Sequence, residues 1–458
     1  MKSLLGGNDL RAFALGVLAG CSCLGGVPAL PAAEVDTRRD STVEAVERVL
    51  PSVVNIATAT IVRRGDPFED TWNQFWDPYH RRQAPGSVGY SLGSGVIIDE
   101  EGYVLTNDHV ARRAAKIWIK PTMSTNVYEA LVAAEDSRAD VALLKIQAKP
   151  GEKFAAIKFG QDDDLLLGET VLALGNPFGL GGSVSRGILS SKSRMAPKET
   201  EQLDIPNWLQ TDASINPGSS GGPLVNLRGE LIGLSVAVLA NAQGIGFAIP
   251  VKRVAEALSQ MITPESSSKR LWFGARVRAG AGPLAITAVQ PESPAAKAGL
   301  KAGDILAQVD GQTPKGFIHL NEMLLAGPKR ERTFTVLREG ERRTVTVALL
   351  PESTFFDAAL IEKKLGVTLQ ELTPKLAREQ GVEVTAGLLV ARVERDTPAA
   401  ESLQPGFLVT SIDDRRPANV VEAAKWIHAK KPGETVQLGV FVRQRYGYRA
   451  GTIDLPVR

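Results

Sequence analysis

Short apolar runs separated by turn residues over positions 93–250 constrain the fold of this chain more than any other feature. Runs of four to eight residues, several rich in valine, isoleucine and leucine, recur between glycine, asparagine and aspartate turns, at 95–99, 116–120, 141–146, 170–174 and 231–238. No run among them is a strong helix candidate. Strands of this length and spacing are typical of all-β barrels.

A glycine-rich turn, NPGSSGGP over residues 216–223, lies inside this region. Glycine permits positive φ and close backbone approach, so the turn can direct several N–H groups at one point. A serine hydroxyl at that point would be a nucleophile beside an anion-binding backbone, as acyl transfer requires. The alternative interpretation is a tight turn between two strands.

A serine nucleophile needs a histidine base and a carboxylate that orients it. The chain has four histidines. His109 ends an apolar run and Asp140 leads into another, whereas His80 lies in an aromatic, basic loop. His319 and His428 lie far downstream. A histidine on an apolar stretch is often a core residue, but the order His109, Asp140, serine favours a catalytic triad.

These motifs resemble the triad motifs of the HtrA (Deg) family, trypsin-like serine proteases with C-terminal PDZ domains. The resemblance rests on LTNDHV (105–110), ADVALL (139–144) and GSSGGP (218–223), and further on GSGVIID (93–99), GNPFGLG (175–181) and GIGFAIP (244–250). It covers nearly everything after the N-terminal leader and is most specific over residues 45–260. It implies two six-stranded barrels with the site in the cleft between them.

The resemblance assigns His109 as the base, Asp140 as its orienting carboxylate and Ser220 as the nucleophile. Backbone N–H groups at Gly218 and Ser220, with Ser219 between them, would form the oxyanion hole. Trypsin has aspartate and HtrA proteins usually have asparagine where this chain has Ser219. Ser219 cannot form the charged pair of trypsin, so activation by loop rearrangement is expected rather than zymogen cleavage.

Two short segments are expected to line the primary specificity pocket. They are Ser214, Ile215 and Asn216 on one side and Leu234, Ser235 and Val236 on the other. They contain no acidic residue, so cleavage after lysine or arginine is not expected. A small apolar pocket favours valine, alanine, isoleucine or leucine, and its discrimination is shallow, about 1–3 kcal/mol per methylene.

Residues 1–33 have the features of an export signal, a positive start followed by a short apolar segment. Cleavage near Ala29 is one possibility, and lipidation of Cys21 in the run LAGC is the other. Both cysteines, Cys21 and Cys23, lie in this leader, so the folded body is expected to have no disulfide and no thiolate metal site. No metal or cofactor is predicted, and the resemblance points to the bacterial periplasm.

Residues 34–262 are expected to form the protease domain, with a short amphipathic helix before the first strand. A charged, aromatic loop at 62–92 is either a regulatory element or a partly disordered insertion. In the family, the N-terminal segment supports trimers and this loop regulates the site. A homotrimer, or a multiple of it, is therefore expected.

A polar linker at 263–269 is followed by a predicted PDZ domain over 270–352. Ser293 and Pro294 predict a capped helix that Gly299 ends. Trp272, Phe273 and Gly274 would form the backbone nest that captures a peptide carboxylate. A small αβ module that merely packs on the protease is the alternative.

A second linker is expected at 353–361, and a second PDZ-like domain over 362–458. It repeats the pattern more weakly. It lacks a counterpart of Gly299 and has Phe407 where Asp304 stands in the first. For this domain, peptide binding and a role in assembly are alternative predictions.

The sequence predicts an ATP-independent serine endopeptidase that degrades misfolded envelope proteins and binds peptide C-termini. No nucleotide-binding glycine motif is present, and a net charge of +2 gives no reason to expect nucleic acid as a partner. The alternatives are a chaperone or scaffold with weak proteolysis, and a regulatory protease with one envelope substrate.

Overall fold

The computed structural model of this chain describes residues 36, 38–61, 88–161, 163–176, 182–195, 203, 205–216, 218–236, 244–266, 270–380, 387–444 and 447–458. The predicted export signal, Cys21, His80 and most of the loop predicted at 62–92 lie outside these residues. So do Pro217 and the last three residues of the first linker.

Six antiparallel strands close into the first barrel, in the order β1-β2-β3-β6-β5-β4. They are β1 (Val53–Ile61), β2 (Val88–Asp99), β3 (Tyr103–Thr106), β4 (Ala114–Pro121), β5 (Tyr128–Asp136) and β6 (Val141–Ile146). Aliphatic side chains such as Ile56 and Val104 fill the interior. Gly95 must lack a side chain, because a Cβ atom there would lie 2.8 Å from both.

The second barrel closes in the order β11-β8-β9-β10-β13-β12, through a further pairing of β11 with β12. Its strands are β8 (Thr170–Gly175), β9 (Ser183–Arg194), β10 (Trp208–Thr211), β11 (Pro223–Asn226), β12 (Glu230–Val236) and β13 (Gly246–Pro250), and the two-residue β7 (Lys158–Phe159) adds to β12 in parallel. The prediction of two six-stranded barrels is confirmed. Along most of these strands, buried and exposed side chains alternate or nearly all side chains are buried, as is typical of closed barrels.

In the described part of the barrel region, three α-helices accompany the strands. The predicted amphipathic helix before the first strand is α1 (Ser41–Val49), which buries Ala45 and Val49. A single turn, α2 (Asp108–Ala111), interrupts the strands. After β13 the chain enters α3 (Val251–Met261), which buries Val254, Leu258 and Met261.

After the two barrels, residues 270–352 form a third unit, which consists of strands and two helices. They are β14 (Leu271–Trp272), β15 (Ala275–Val277), β16 (Ile286–Val289), α4 (Pro294–Lys297), β17 (Ile305–Val309), α5 (Phe317–Leu325), β18 (Glu331–Arg338), β19 (Glu341–Ala348) and β20 (Leu350–Pro351). The predicted helix cap is confirmed, because the Ser293 side chain accepts a hydrogen bond from the N–H of Ala296 at 3.1 Å. Gly299 follows with φ of 84°.

The described residues of the last unit form one five-stranded sheet with four α-helices. The helices are α6 (Ala358–Leu365), α7 (Pro374–Gln380), α8 (Pro398–Ser402) and α9 (Val420–His428), and the strands are β21 (Val367–Glu371), β22 (Leu388–Val393), β23 (Leu408–Ile412), β24 (Thr435–Gln444) and β25 (Gly447–Pro456). Among the described helices, none has the length and apolar character to cross a membrane.

One hydrophobic core runs from the barrels into the third unit through α3. It contains Leu234 and Val236 of β12, Leu258 of α3 and Phe334 of β18. The Ser259 hydroxyl on α3 also accepts a hydrogen bond from the N–H of Ala279 at 2.8 Å. The last unit has a separate core, which includes Trp272 of β14.

A buried ion pair holds the third unit together. Both Asp304 carboxylate oxygens accept hydrogen bonds from the Arg338 guanidinium, at 2.6 and 2.8 Å. Asp304 is fully buried and also accepts from the N–H of Lys301. These bonds, Arg338 first, lower the pKa of Asp304 despite the opposing effect of burial.

Replacement of Asp304 by asparagine should lower the free energy of unfolding by about 2 kcal/mol, because a buried charge-assisted pair is lost. Since the pKa of Asp304 is lower in the folded chain, this stabilisation is complete above the ordinary aspartate pKa of about 4. It is lost as the pH falls below that value. Urea unfolding at pH 7 and at pH 3 measures both effects, with the exposed Asp163→Asn as control. An equal destabilisation at the two pH values would contradict this account.

Candidate active site

The glycine-rich turn joins β10 to β11 and places Ser220 at its end. The N–H of Ser219 donates to the carbonyl of Asn216, and the N–H of Gly222 donates to the carbonyl of Ser219, each at 2.9 Å. Gly218 and Gly221 have φ of 89° and 82°. Because the Ser219 N–H is used within the turn, the N–H groups of Gly218 and Ser220 are the candidates for binding an oxyanion.

The predicted base and carboxylate meet in the first barrel. Nδ1 of His109, on α2, lies 2.9 Å from Oδ2 and 3.1 Å from Oδ1 of Asp140. The backbone N–H of His109 also donates to Oδ1 at 3.0 Å. Asp140 is 2% exposed and has a positive φ of 50° just before β6. A carboxylate held in this way fixes the imidazole ring and its tautomer.

Side chains beside His109 complete this arrangement. The Asn107 amide donates to the Asp140 carbonyl at 3.1 Å, which anchors the segment before α2. Asp108 is 1% exposed, and burial raises its pKa, with a smaller upward contribution from the charge of Asp140. Asp108 belongs to the same motif as His109, but its residue type alone does not distinguish it as a site residue.

Ser94 on β2 connects the first barrel to the glycine-rich turn of the second. Its hydroxyl donates to the carbonyl of Gly218 at 2.7 Å and accepts from the N–H of Asn176 at 2.9 Å. Its backbone N–H donates to the carbonyl of Ser220 at 2.9 Å. In the sequence, the motif around Ser94 contributes only to the family resemblance. A serine between two glycines in a strand gives no local sign of these bonds.

Gly221 brings the turn against the strand that leads to His109. A Cβ atom at Gly221 would lie 2.2 Å from Oγ1 of Thr106 and 2.3 Å from the carbonyl oxygen of Ser94. Any larger residue would therefore push the turn away from the first barrel. This close approach packs the turn that holds Ser220 against β3, the strand that precedes His109.

The residues predicted to line the specificity pocket lie on two neighbouring segments. Ile215 is buried, and its side chain would lie 2.9 Å from a Cβ atom at Gly246, whereas Ser214 and Asn216 are exposed. Leu234, Ser235 and Val236 are buried at the end of β12. Backbone bonds between Ser235 and the pair Gly221 and Gly222 hold this strand beside the turn. In the described part of the chain, the Ser235 hydroxyl has no hydrogen-bond partner.

The predicted carboxylate nest follows β14. The N–H groups of Phe273 and Gly274 both donate to one carboxylate oxygen of Glu265. Trp272 is buried against Phe355 and Phe356, with ring centroids 4.4 and 4.8 Å apart. Among the described residues, no cluster of three histidine, cysteine or acidic side chains could hold a metal ion.

Comparison with protein families gives three matches along the chain. Residues 93–234 match the trypsin-like peptidase domain, and residues 285–338 and 364–444 each match a PDZ domain. The first match includes His109, Asp140 and Ser220. The chain therefore combines one peptidase domain with two PDZ domains.

Curated relatives extend over most of the chain. A "Probable periplasmic serine endoprotease DegP-like" of Chlamydia trachomatis serovar D is 34% identical over 82% of this chain and 78% of its own length. A protein with the same description from Marinomonas sp. is 33% identical over 88% of this chain and 91% of its own length.

Among solved structures, "HtrA-type protease AlgW with tripeptide" is 31% identical over 68% of this chain and 97% of its own. The TM-score of 0.40 is too low for that superposition to support an assignment. The family assignment depends on the sequence matches instead. These matches identify the chain as a serine endopeptidase of the HtrA type, a member of the DegP-like family with a trypsin-like domain and two PDZ domains.

Proposed function

We propose that this endopeptidase cleaves unfolded proteins of the cell envelope without ATP, with Ser220, His109 and Asp140 as its catalytic triad. The observation that carries the assignment is the contact of His109 Nδ1 with the buried carboxylate of Asp140, 2.9 Å away. This contact lies in the first barrel, against which the turn that holds Ser220 packs.

Proton transfer follows from this contact. Asp140 accepts the Nδ1–H of His109, which leaves Nε2 of the neutral ring as the base. The Ser220 oxygen attacks the peptide carbonyl while its proton passes to Nε2. The protonated imidazole then gives that proton to the leaving amine, and an acyl ester remains on Ser220. Water hydrolyses the ester by the same two transfers.

The tetrahedral oxyanion would be stabilised by the N–H groups of Gly218 and Ser220. Each of these N–H groups lies in the peptide plane that joins its residue to the preceding one. Ser94 bonds the carbonyls of Gly218 and Ser220, which lie in the next peptide plane after each donor, and so restrains the backbone on the far side of both residues. We therefore assign Ser94 as a positioning residue for the oxyanion hole. Donors fixed before the reaction stabilise the transition state without a reorganisation cost.

The substrates would be chains with exposed apolar residues. Ile215, Leu234 and Val236 supply apolar surface beside the turn, and none of the six predicted pocket residues is acidic. Such a pocket favours small aliphatic side chains after which the chain is cut, and these become accessible when proteins unfold.

Several features support a periplasmic protein that binds peptide C-termini, and the resemblance to HtrA proteins implies that it assembles as a homotrimer. The curated relatives are described as periplasmic, and residues 1–33 have the features of an export signal, with lipidation of Cys21 as the alternative. PDZ domains recognise C-terminal carboxylates by β-strand addition and a backbone nest. In this chain the first PDZ domain offers Phe273 and Gly274 for that purpose.

Ser220→Ala should abolish degradation of unfolded casein in the absence of ATP. Loss of a triad nucleophile removes about a millionfold of the rate. Gel analysis of purified wild type and variant measures this effect, and Ser219→Ala is the matched control for a hydroxyl in the same turn. Activity that survives Ser220→Ala but not Ser219→Ala would move the nucleophile by one residue.

Ser94→Ala should lower kcat for peptide hydrolysis by roughly tenfold or more, because losing one oxyanion donor outright costs about a hundredfold or more. KM should change little, since Ser94 bonds the turn rather than the substrate. Steady-state kinetics of Ser94→Ala beside Ser91→Ala, an exposed serine on the same strand, test this. A rise in KM at constant kcat would show that Ser94 does not position the oxyanion hole.

A further inference from the structure

The carboxylate of Glu265 is bound by two successive backbone amides of the first PDZ domain. One of its oxygens accepts hydrogen bonds from the N–H of Phe273 at 2.6 Å and from the N–H of Gly274 at 2.9 Å. Hydrogen bonds of this length to an ionised acceptor are charge-assisted and strong. The acceptor comes from the same chain, eight and nine residues before the two donors.

The geometry of the loop makes these amides an anion site. Gly274 has φ of 74°, a left-handed conformation that turns successive N–H groups toward one point. A Cβ atom at Gly274 would lie 2.1 Å from the Cβ of Ser293, so the conformation is fixed by packing. The carbonyl groups of the same residues are engaged elsewhere. Phe273 accepts from the N–H of Ala295, and Gly274 accepts from that of Gln290.

We propose that Glu265 is an internal ligand of the first PDZ domain, which a peptide with a free C-terminal carboxylate must displace in order to bind. This inference rests on the proposed function of the Phe273 and Gly274 amides in capturing peptide C-termini. The side-chain carboxylate of glutamate is chemically equivalent to a chain terminus. It therefore satisfies the two donors while no peptide is present.

The backbone that carries Glu265 is itself ordered by hydrogen bonds. The Ser266 hydroxyl donates to the carbonyl of Met261, the last residue of α3, at 2.6 Å. The N–H of Leu271, at the start of β14, donates to the carbonyl of Pro264 at 3.2 Å. Glu265 is thus presented to the amides by a short turn between α3 and the PDZ domain, which makes its effective concentration at the site high.

The second PDZ domain provides an internal contrast. Gly366 stands in the corresponding loop and has the same φ of 74°. Its N–H donates to the backbone carbonyl of Glu362 and closes the end of α6. A helix carbonyl cannot leave without unwinding the helix, whereas a side chain can rotate away. The displaceable ligand is therefore a property of the first domain.

If a peptide must displace Glu265, its apparent affinity for the first PDZ domain should be lower than its intrinsic affinity. If Glu265 occupies the amides nine-tenths of the time, the apparent affinity for a peptide falls roughly tenfold below its intrinsic value. Glu265→Ala removes the competitor and should restore that factor. Glu265→Gln keeps an uncharged carbonyl acceptor and should give an intermediate affinity.

The test uses the full-length Ser220→Ala protein, so that the probe is not cleaved. Fluorescence anisotropy measures binding of a labelled peptide that ends in two apolar residues and a free carboxylate. The same peptide with an amidated C terminus reports whether the carboxylate is recognised. Glu256→Ala, which removes an exposed charge on α3, is the matched control for net charge.

Tighter binding by Glu265→Ala, lost on amidation and absent from Glu256→Ala, supports the inference. If Glu265→Ala and its parent bind the free-carboxylate peptide with equal affinity, the inference is overturned. If that binding is still lost on amidation, the proposed peptide site of the first PDZ domain stands. Binding that amidation does not change, or none in any variant, overturns the peptide site together with the inference.

Hydrogen exchange tests the bonds of Glu265 to the two amides directly, without a peptide. The amides of Phe273 and Gly274 should exchange faster in Glu265→Gln, and faster still in Glu265→Ala. Unchanged protection in both variants would falsify the role of Glu265 as their ligand. A melting temperature close to that of the parent shows that Glu265→Gln remains folded.

Discussion

The proposed active site depends on the close contact between the turn of Ser220 and the first barrel. Neither barrel contains the whole site, since His109 and Asp140 belong to one and Ser220 to the other. Two features allow the contact: the missing side chain at Gly221 and the bonds of Ser94 to Gly218 and Ser220. Short polar contacts between the barrels thus determine where Ser220, the proposed nucleophile, stands, and hydrophobic burial in each barrel keeps the two halves rigid.

Much of the barrel fold and of the proposed site could be predicted from the sequence. The barrels follow from the spacing of turns, and His109, Asp140 and Ser220 follow from motifs in which several neighbours are constrained together. Ser94 and Glu265 could not be found in this way. A serine in a strand and a glutamate in a polar linker are ordinary locally, and their partners lie far along the chain or on backbone amides. The polar composition of residues 263–269 predicts a linker, and it does not reveal that one hydrophobic core includes both Leu258 before this segment and Phe334 after it.

The two PDZ domains show how one pattern can serve different ends. Both have a proline-initiated helix and a left-handed glycine before a strand. The first adds a buried ion pair between Asp304 and Arg338, and its glycine loop binds a side-chain carboxylate. The second has Phe407 in place of Asp304, and its glycine loop ends a helix. The differences concern polar groups, which sequence similarity of the apolar core does not reveal.

The continuous core through α3 has a consequence for how the molecule comes apart. A helix that buries Val254 and Leu258 among both barrels and the first PDZ domain cannot lose one neighbour without exposing apolar surface to water. The barrels and the first PDZ domain should therefore form a single cooperative unit of unfolding. The smallest fragment that resists proteolysis would end after β20 rather than in the linker before β14. The last domain has a core separate from the one that runs through α3, to which β14 contributes Trp272, and this separation allows the domain to open independently.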